Sequence, residues 1–344
     1  MLTQLRHVVN YIGSKRRLSS FLLSSIQDTL RSHGVLLADC VFTDLFSGTA
    51  AVGRLFKNHV KQVLSNDQEF YSFVLAKHYI ENTQPLKRAI KLINTLNHLR
   101  PIKGKIYKHY ALGGGEKRQY FSDTNAMKID SMRTQIARWQ EKQAITQAEF
   151  YFLLTSLLEC ADKVANTASI YGAFLKHLKK SAQQDLFLSP AALELSMNSH
   201  YAYQTDASKL IRQIKTDVLY LDPPYNQREY GANYHILNSI AIYDDFIPQG
   251  KTGLRVYQKS AWCNKHAAYK ALEYVIKHTN ARFIFLSYNN EGLLNLEEIK
   301  TLFSKHGNYS LKSQVYNRFK ANSSPKKEST IEYLHGLEKL TKSS

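Results

Sequence analysis

Asp222-Pro223-Pro224-Tyr225 closes the apolar run Asp217-Val218-Leu219-Tyr220-Leu221. The run reads as a short buried strand, and two prolines forbid its continuation within a central ladder. The turn leaves a carboxylate, backbone carbonyls and an aromatic ring at the carboxyl end of a strand, the edge where open α/β sheets bind ligands. Acceptors beside a ring face are suited to holding a planar amine while an aromatic face covers the ring that bears it. That is the chemistry of methylating a nucleobase amine. The bland alternative for Asp222 is a structural strand-end cap.

A second constellation runs Asp44-Leu45-Phe46-Ser47-Gly48-Thr49-Ala50-Ala51-Val52-Gly53, a strand entering a small-residue turn and then a helix. Gly48 permits close approach of a ligand to the backbone, and the helix start offers free amides. Only Gly48 and Gly53 are present, so this is not a dinucleotide fingerprint, and no Gly-Lys-Ser/Thr follows that would make it a phosphate loop. Taken alone it is equally an ordinary tight turn. Asn66-Asp67 ends the next strand, and an acid there can accept both ribose hydroxyls of a nucleoside cofactor or cap the following helix. Asp206 poses the same choice: acceptor for the exocyclic amine of a cofactor adenine, or cap of a helix over 207–214. Near the amino terminus, Tyr11-Ile12-Gly13-Ser14-Lys15 precedes a helix, and Lys15 is placed to meet a carboxylate or simply to start a basic surface helix.

These groups need a sheet to line them up. Strand-like runs at 40–46, 62–66, 201–205, 218–221 and 282–287 alternate with helical ones at 50–57, 69–81 and 296–305, the rhythm of a mainly parallel sheet. Two last strands, 309–316 and 330–334, enclose a Ser-Pro-Lys loop at 323–327 and read as a hairpin, with a polar tail over 338–344. From 83 to 199 the pattern is amphipathic and helical, clearest at 86–99 and 147–159, with a basic glycine-rich loop at 113–118. The expected organisation is a catalytic domain in two parts, 1–82 and 200–337, around an inserted helical domain, 83–199.

Among 344 residues, 46 basic against 28 acidic side chains give a net charge of +18, which favours polyanionic partners, nucleic acid before an anionic membrane surface. The 44% apolar and 12% aromatic content supports a packed core and argues against disorder. No stretch approaches the about 20 apolar residues of a membrane span, and the start lacks a signal-peptide core. Cys40, Cys160 and Cys263 are too sparse for a disulfide framework or a metal site, so a cytoplasmic, metal-free protein is expected. Candidate phosphate contacts include Lys103, Lys105, Lys108, Lys117, Arg118, Arg133, Arg138, Lys176, Lys179 and Lys180, with a second basic stretch over 251–265 that contains Arg255 and Lys259. For any single lysine, a solvated helix face is the commoner explanation.

The order Tyr11-x-Gly13-x-Lys15, Asp44-Leu45-Phe46-Ser47-Gly48-Thr49, Asn66-Asp67, a long insertion, Asp206 and Asp222-Pro223-Pro224-Tyr225 resembles the Dam-like, alpha-group adenine-specific DNA methyltransferases, many of them modification enzymes of restriction systems. The likeness covers roughly 5–82 and 200–336, and 226–231, 287–292 and 316–320 also look like the restriction–modification members. The turn carries Ser47-Gly48-Thr49 where the housekeeping enzymes are richer in glycine. The resemblance implies an α/β, Rossmann-like S-adenosylmethionine-dependent methyltransferase fold with a mixed sheet and terminal hairpin, plus the inserted helical domain as target-recognition region. By position it implies that Lys15 and Asp44 bracket the methionine part of S-adenosylmethionine with Phe46, Ser47 and Gly48 lining it, that Asp67 takes its ribose and Asp206 its adenine, and that Tyr11 also belongs to the cofactor site. Asp222, Pro223, Pro224 and Tyr225 are then catalytic, acting on an adenine flipped out of double-stranded DNA. Lys117, Arg118, Arg133, Lys176, Arg228 and Lys259 are the DNA contacts expected, and a cognate restriction endonuclease is a genetic rather than physical partner. An RNA base-amine methyltransferase and a non-catalytic DNA-binding protein on the same fold are the competing readings. Methyl incorporation into matched DNA and RNA separates all three.

Overall fold

A computed structural model describes residues 15–168, 170–317 and 329–340. Tyr11, Gly13, the 318–320 part of the last resembling motif, the 323–327 loop and residues 341–344 lie outside the described residues. The chain divides into two compact units, one within 15–68, 196–229 and 259–340, the other within 69–195 and 230–258.

The first unit is built on a seven-stranded sheet. Its strands are β1 (Val41–Asp44), β2 (Gln62–Asp67), β3 (Tyr201–Gln204), β4 (Val218–Leu221), β5 (Phe283–Asn289), β6 (Gly307–Asn317) and β7 (Ser329–Lys339). The order across the sheet is β3-β2-β1-β4-β5-β7-β6. The first five run parallel, and β7 is antiparallel to both β5 and β6. The order reverses between β1 and β4, so that crevice is the topological switch point where such sheets bind ligands. Every residue of β4 and of β5 is buried, as expected of strands covered on both faces. Leu45, Leu219, Leu221, Ile284 and Leu286 pack with Leu272, Ile276, Leu302 and Phe303 in one apolar cluster.

Register brings the functional ends level. Asp44 pairs with Ser65 and with Tyr220, and Asp67 with Gln204, so the carboxyl ends of β1, β2, β3 and β4 share one edge. Asn66 staples that edge: its Nδ2 donates to Leu45 O (3.1 Å) and Thr205 O (3.2 Å), and its Oδ1 accepts from Thr205 N (3.2 Å).

Several expectations shift. The helix expected over 207–214 is a single turn, Ala207–Leu210. The helix expected over 69–81 is Phe70–Ala76 followed by a π-helical turn, Lys77–Glu81. The polar tail expected from 338 does not begin there. β7 runs to Lys339, whose N–H donates to Arg282 O at 2.8 Å, and Glu338 pairs with Arg282 at 2.7 Å.

The second unit is helical. Gln147–Val164 opens with a capping box between Thr146 and Glu149 and buries nearly all of its sides, the pattern of a core helix. Segment 230–258 belongs to this unit, where the sequence reading kept it in the second catalytic part. The reason is packing: the buried helix His235–Ile242 lies against Phe70–Ala76 and Gln147–Val164, and Asn238 Oδ1 accepts from Tyr71 N at 3.0 Å. No helix of the described residues is long and apolar enough to cross a membrane.

Candidate active site

The Asp222–Tyr225 turn is fixed from three sides. Lys15, in the 3-10 turn Lys15–Leu18, is only 4% exposed and lies 3.0 Å from Asp222 Oδ1 and 2.9 Å from Glu332 Oε1. Its Nζ also stands 5.5 Å from the centre of the Tyr225 ring, a cation–π contact. Tyr225 is partly buried against the apolar cluster, meets Tyr288 edge to face at 6.2 Å, and accepts Leu293 N at its carbonyl (2.9 Å). Pro223 is buried, while Pro224 and Tyr225 are half-buried. The prolines end β4 as its sequence requires, and the ring of Tyr225 is held in place by its neighbours.

Burial shapes the charges here. Burial pushes Asp222 up to about 6; Lys15 pulls against the rise and Glu332 adds to it. Burial works against the Lys15 charge, but Asp222 and Glu332 outweigh it and hold the ammonium well above its ordinary range. Asp44 is pushed by burial to about 8, against the hydrogen bond from Gly53 N, with Asp222 and Asp67 raising it further.

The turn after β1 is pinned by acids. Asp44 Oδ2 accepts from Gly53 N at 3.0 Å, Asp67 Oδ2 accepts from Gly48 N at 2.8 Å, and Ser47 N donates to Asn66 O at 2.8 Å. Gly48 (φ 50°) and Ala50 (φ 60°) both take the left-handed conformation, which glycine adopts freely and alanine does not. Phe46 packs edge to face on Trp262 at 5.0 Å. Asp44 Oδ1 and Ser47 Oγ are buried without a hydrogen-bond partner among the described residues. Two unsatisfied polar atoms beside a left-handed glycine, at the switch point of the sheet, fit a polar ligand and would be costly without one. Asp206 is exposed, and its Oδ1 accepts from Ser208 N at 2.9 Å and from Ser208 Oγ.

The structure thus brings Lys15, Asp222 and Tyr225 into direct contact, and joins Asp44, Gly48 and Asp67 through one turn. Asp206 stays at the end of β3, next to Thr205, whose backbone is bonded to the Asn66 side chain. Sequence reasoning passed over Glu332, a lone acid in the strand pattern Thr330-Ile331-Glu332-Tyr333-Leu334, whose one signal was a carboxylate among residues otherwise fit for burial.

The basic residues separate by burial. Arg118 is 7% exposed, and its guanidinium donates to Gly250 O (3.0 Å), Lys251 O (3.2 Å) and His109 O (3.4 Å). Arg133 is 6% exposed and donates to Ile240 O (3.0 Å), Ala241 O (3.0 Å) and Ile242 O (3.2 Å), the open carbonyls at the end of the His235–Ile242 helix. Their placement corrects the expectation that these two arginines face DNA: both are occupied by backbone carbonyls inside the helical unit. Lys117, Lys176, Arg228 and Lys259 are exposed.

The strand order, the antiparallel β7 and the Asp-Pro-Pro-Tyr turn at the switch-point edge define a Rossmann-like methyltransferase fold. A model of the D12 class N6 adenine-specific DNA methyltransferases matches residues 11–302, and the chain belongs to that family. It is 52% identical over 335 residues to the Type II methyltransferase M.NlaIII of Neisseria lactamica, covering 96% of this chain and 99% of that protein. It is 33% identical over 330 residues to the Type II methyltransferase M.CviAII of Paramecium bursaria Chlorella virus 1, covering 95% of this chain and 97% of the other. It is also 36% identical over 349 residues to the Type II methyltransferase M.FokI of Planomicrobium okeanokoites, of which it spans 53%.

Proposed function

We propose that this adenine-specific methyltransferase takes its methyl group from S-adenosylmethionine and places it on the N6 amine of an adenine flipped out of duplex DNA, at a specific site. In its host it protects that site from a partner restriction enzyme. The observation that carries the reading is the largely buried Asp222 carboxylate, held by Lys15 beside the Tyr225 ring.

An adenine amine is a poor nucleophile because its lone pair is delocalised into the ring. Asp222 and the Pro223 carbonyl accept its two hydrogens and localise that pair on nitrogen. Tyr225 stacks on the extruded base, an arrangement open only to a base out of the helix. When bound, S-adenosylmethionine supplies an already activated methyl group, so the chain need only orient the amine and stabilise charge growing on nitrogen. The carboxylate of Asp222 offsets that charge until a proton leaves. Ser47, Gly48 and Asp44 line the methionine end of the donor, Asp67 accepts from its ribose, and Asp206 from its adenine amine. The helical unit serves as the target-recognition region, and the exposed Lys117, Lys176, Arg228 and Lys259 meet phosphates.

The test is sequencing, with detection of methylated adenine, of DNA from a host that expresses the chain or its Asp222→Ala variant. Methyladenine at one recurrent sequence with the parent chain, and none with the variant, is the expected result. Unmodified DNA with both sinks the reading.

A further inference from the structure

We infer that Glu332, on β7, is a positioning residue for methyl transfer: it shares the Lys15 ammonium with Asp222, and so sets where Lys15 holds the catalytic carboxylate and how much of its charge stays available to the target amine. The inference rests on the adenine-amine reading above.

Glu332 is 1% exposed, and both of its oxygens lack a hydrogen-bond partner among the described residues apart from the ion pair to Lys15. A carboxylate buried in this way is costly and persists only against a strong partner. Lys15 faces two acids at nearly equal distance, 2.9 Å to Glu332 and 3.0 Å to Asp222, so one positive charge is divided between them. A lysine paired with Asp222 alone would neutralise the carboxylate that must accept the amine hydrogens. A lysine shared with Glu332 anchors Asp222 and leaves the cluster with a surplus of negative charge beside the nitrogen that turns positive. Among the described residues, Lys15, Glu332 of β7, Asp44 of β1 and Tyr220 of β4 interact electrostatically with Asp222, and Tyr225 of its own turn interacts with Lys15. Of these, Glu332 and Asp222 share the Lys15 ammonium as an ion-pair partner.

Glu332→Gln keeps the shape and removes one negative charge. Because Glu332 raises Asp222, the charge loss should move the acid limb of the kcat/KM profile to lower pH, by about half a unit or more. The rate should fall several-fold with little change in KM for DNA, and Lys15→Met combined with Glu332→Gln should be no worse than Lys15→Met alone. In the protein without substrates, with 13C-labelled aspartate carboxyls, the Asp222 titration should shift the same way. That arm reads the charge sharing without turnover, so it still decides the inference if the parent chain forms no methyladenine and the functional reading itself falls. A folded Glu332→Gln whose Asp222 titration and acid limb stay in place overturns the proposal, because a purely structural glutamate moves only the melting temperature. Should Glu332→Gln fail to fold, Glu332→Asp decides: a shorter stem should keep the acid limb and lower the rate, and a parental rate overturns the proposal.

Discussion

Asp67 Oδ2 accepts the backbone N–H of Gly48 at 2.8 Å, so the acid at the end of β2 fixes the turn at the end of β1. One carboxylate thereby joins the two structures proposed to hold opposite parts of the methyl donor.

Asp67→Asn and Asp67→Ala separate those duties. The asparagine variant can still accept from Gly48 but loses the charge that two ribose hydroxyls would bind. Both variants should bind S-adenosylmethionine about tenfold or more weakly by calorimetry, a loss of about 1.4 kcal/mol. If Asp67→Asn binds as tightly as the parent while Asp67→Ala does not, Asp67 anchors the turn and leaves the ribose alone.

In the role proposed above Asp222 must be ionised to offset the charge growing on the amine, and burial has raised it to about 6. The kcat/KM for methyl transfer should therefore be level above neutrality and fall as pH drops through about 6. An acid limb near the ordinary aspartate value of about 4 would show that Asp222 is not the titrating acceptor.

Stacking needs a ring face and little else. Tyr225→Trp should retain several-fold more activity than Tyr225→Ala in single-turnover assays, since base–aromatic stacking contributes about 1–3 kcal/mol. Equal rates for the two variants would remove stacking from the mechanism.

Asp44 carries a stability prediction with a definite sign. Its folded value, about 8, lies above its ordinary 3.8, so folding favours the neutral form. That contribution is complete below about pH 4 and is lost as pH rises through about 8, at up to about 1.4 kcal/mol for each unit between. Asp44→Asn has no charge to bury and can keep the acceptor for Gly53 N. Its melting temperature should exceed the parent's most at pH 8 and least at pH 4, as thermal melts across that range (roughly pH 4–8) will show. A gain independent of pH would mean that Asp44 is ionised in the folded protein.

Arg133 and Lys117 should part company. Arg133→Ala leaves three carbonyls at the end of the His235–Ile242 helix without donors, which should cost about 2–4 kcal/mol in urea unfolding. Lys117→Ala, at an exposed position, should stay within about 0.5 kcal/mol of the parent and instead flatten the salt dependence of DNA binding. A reversed pattern would return Arg133 to the DNA face.

The sequence makes legible whatever short-range chemistry dictates. Proline ends β4, and the acids at 67, 206 and 222 follow strand-like runs, so their shared edge follows from a parallel sheet. What could not be read depended on distant partners. Arg118 and Arg133 look like surface charge until the carbonyls of 240–242 and 250–251 are known to meet them. Membership of 230–258 in the helical unit is decided by which helix faces find each other, as Asn238 finds Tyr71, and no local periodicity encodes that. Glu332 escaped notice because an acid in an alternating strand reads as solvent-facing, whereas its partner Lys15 stands near the other end of the chain.

That last pairing has a consequence for synthesis. The ammonium that steadies Asp222 is made well before β7, the strand that carries Glu332 and the last in chain order among the described residues, although β7 lies inside the sheet between β5 and β6. In general, contacts between segments so far apart in sequence cost more chain entropy to form than local ones. A chain made only as far as β5 therefore has its entire Asp-Pro-Pro-Tyr turn but not yet the second carboxylate that shares Lys15 with Asp222.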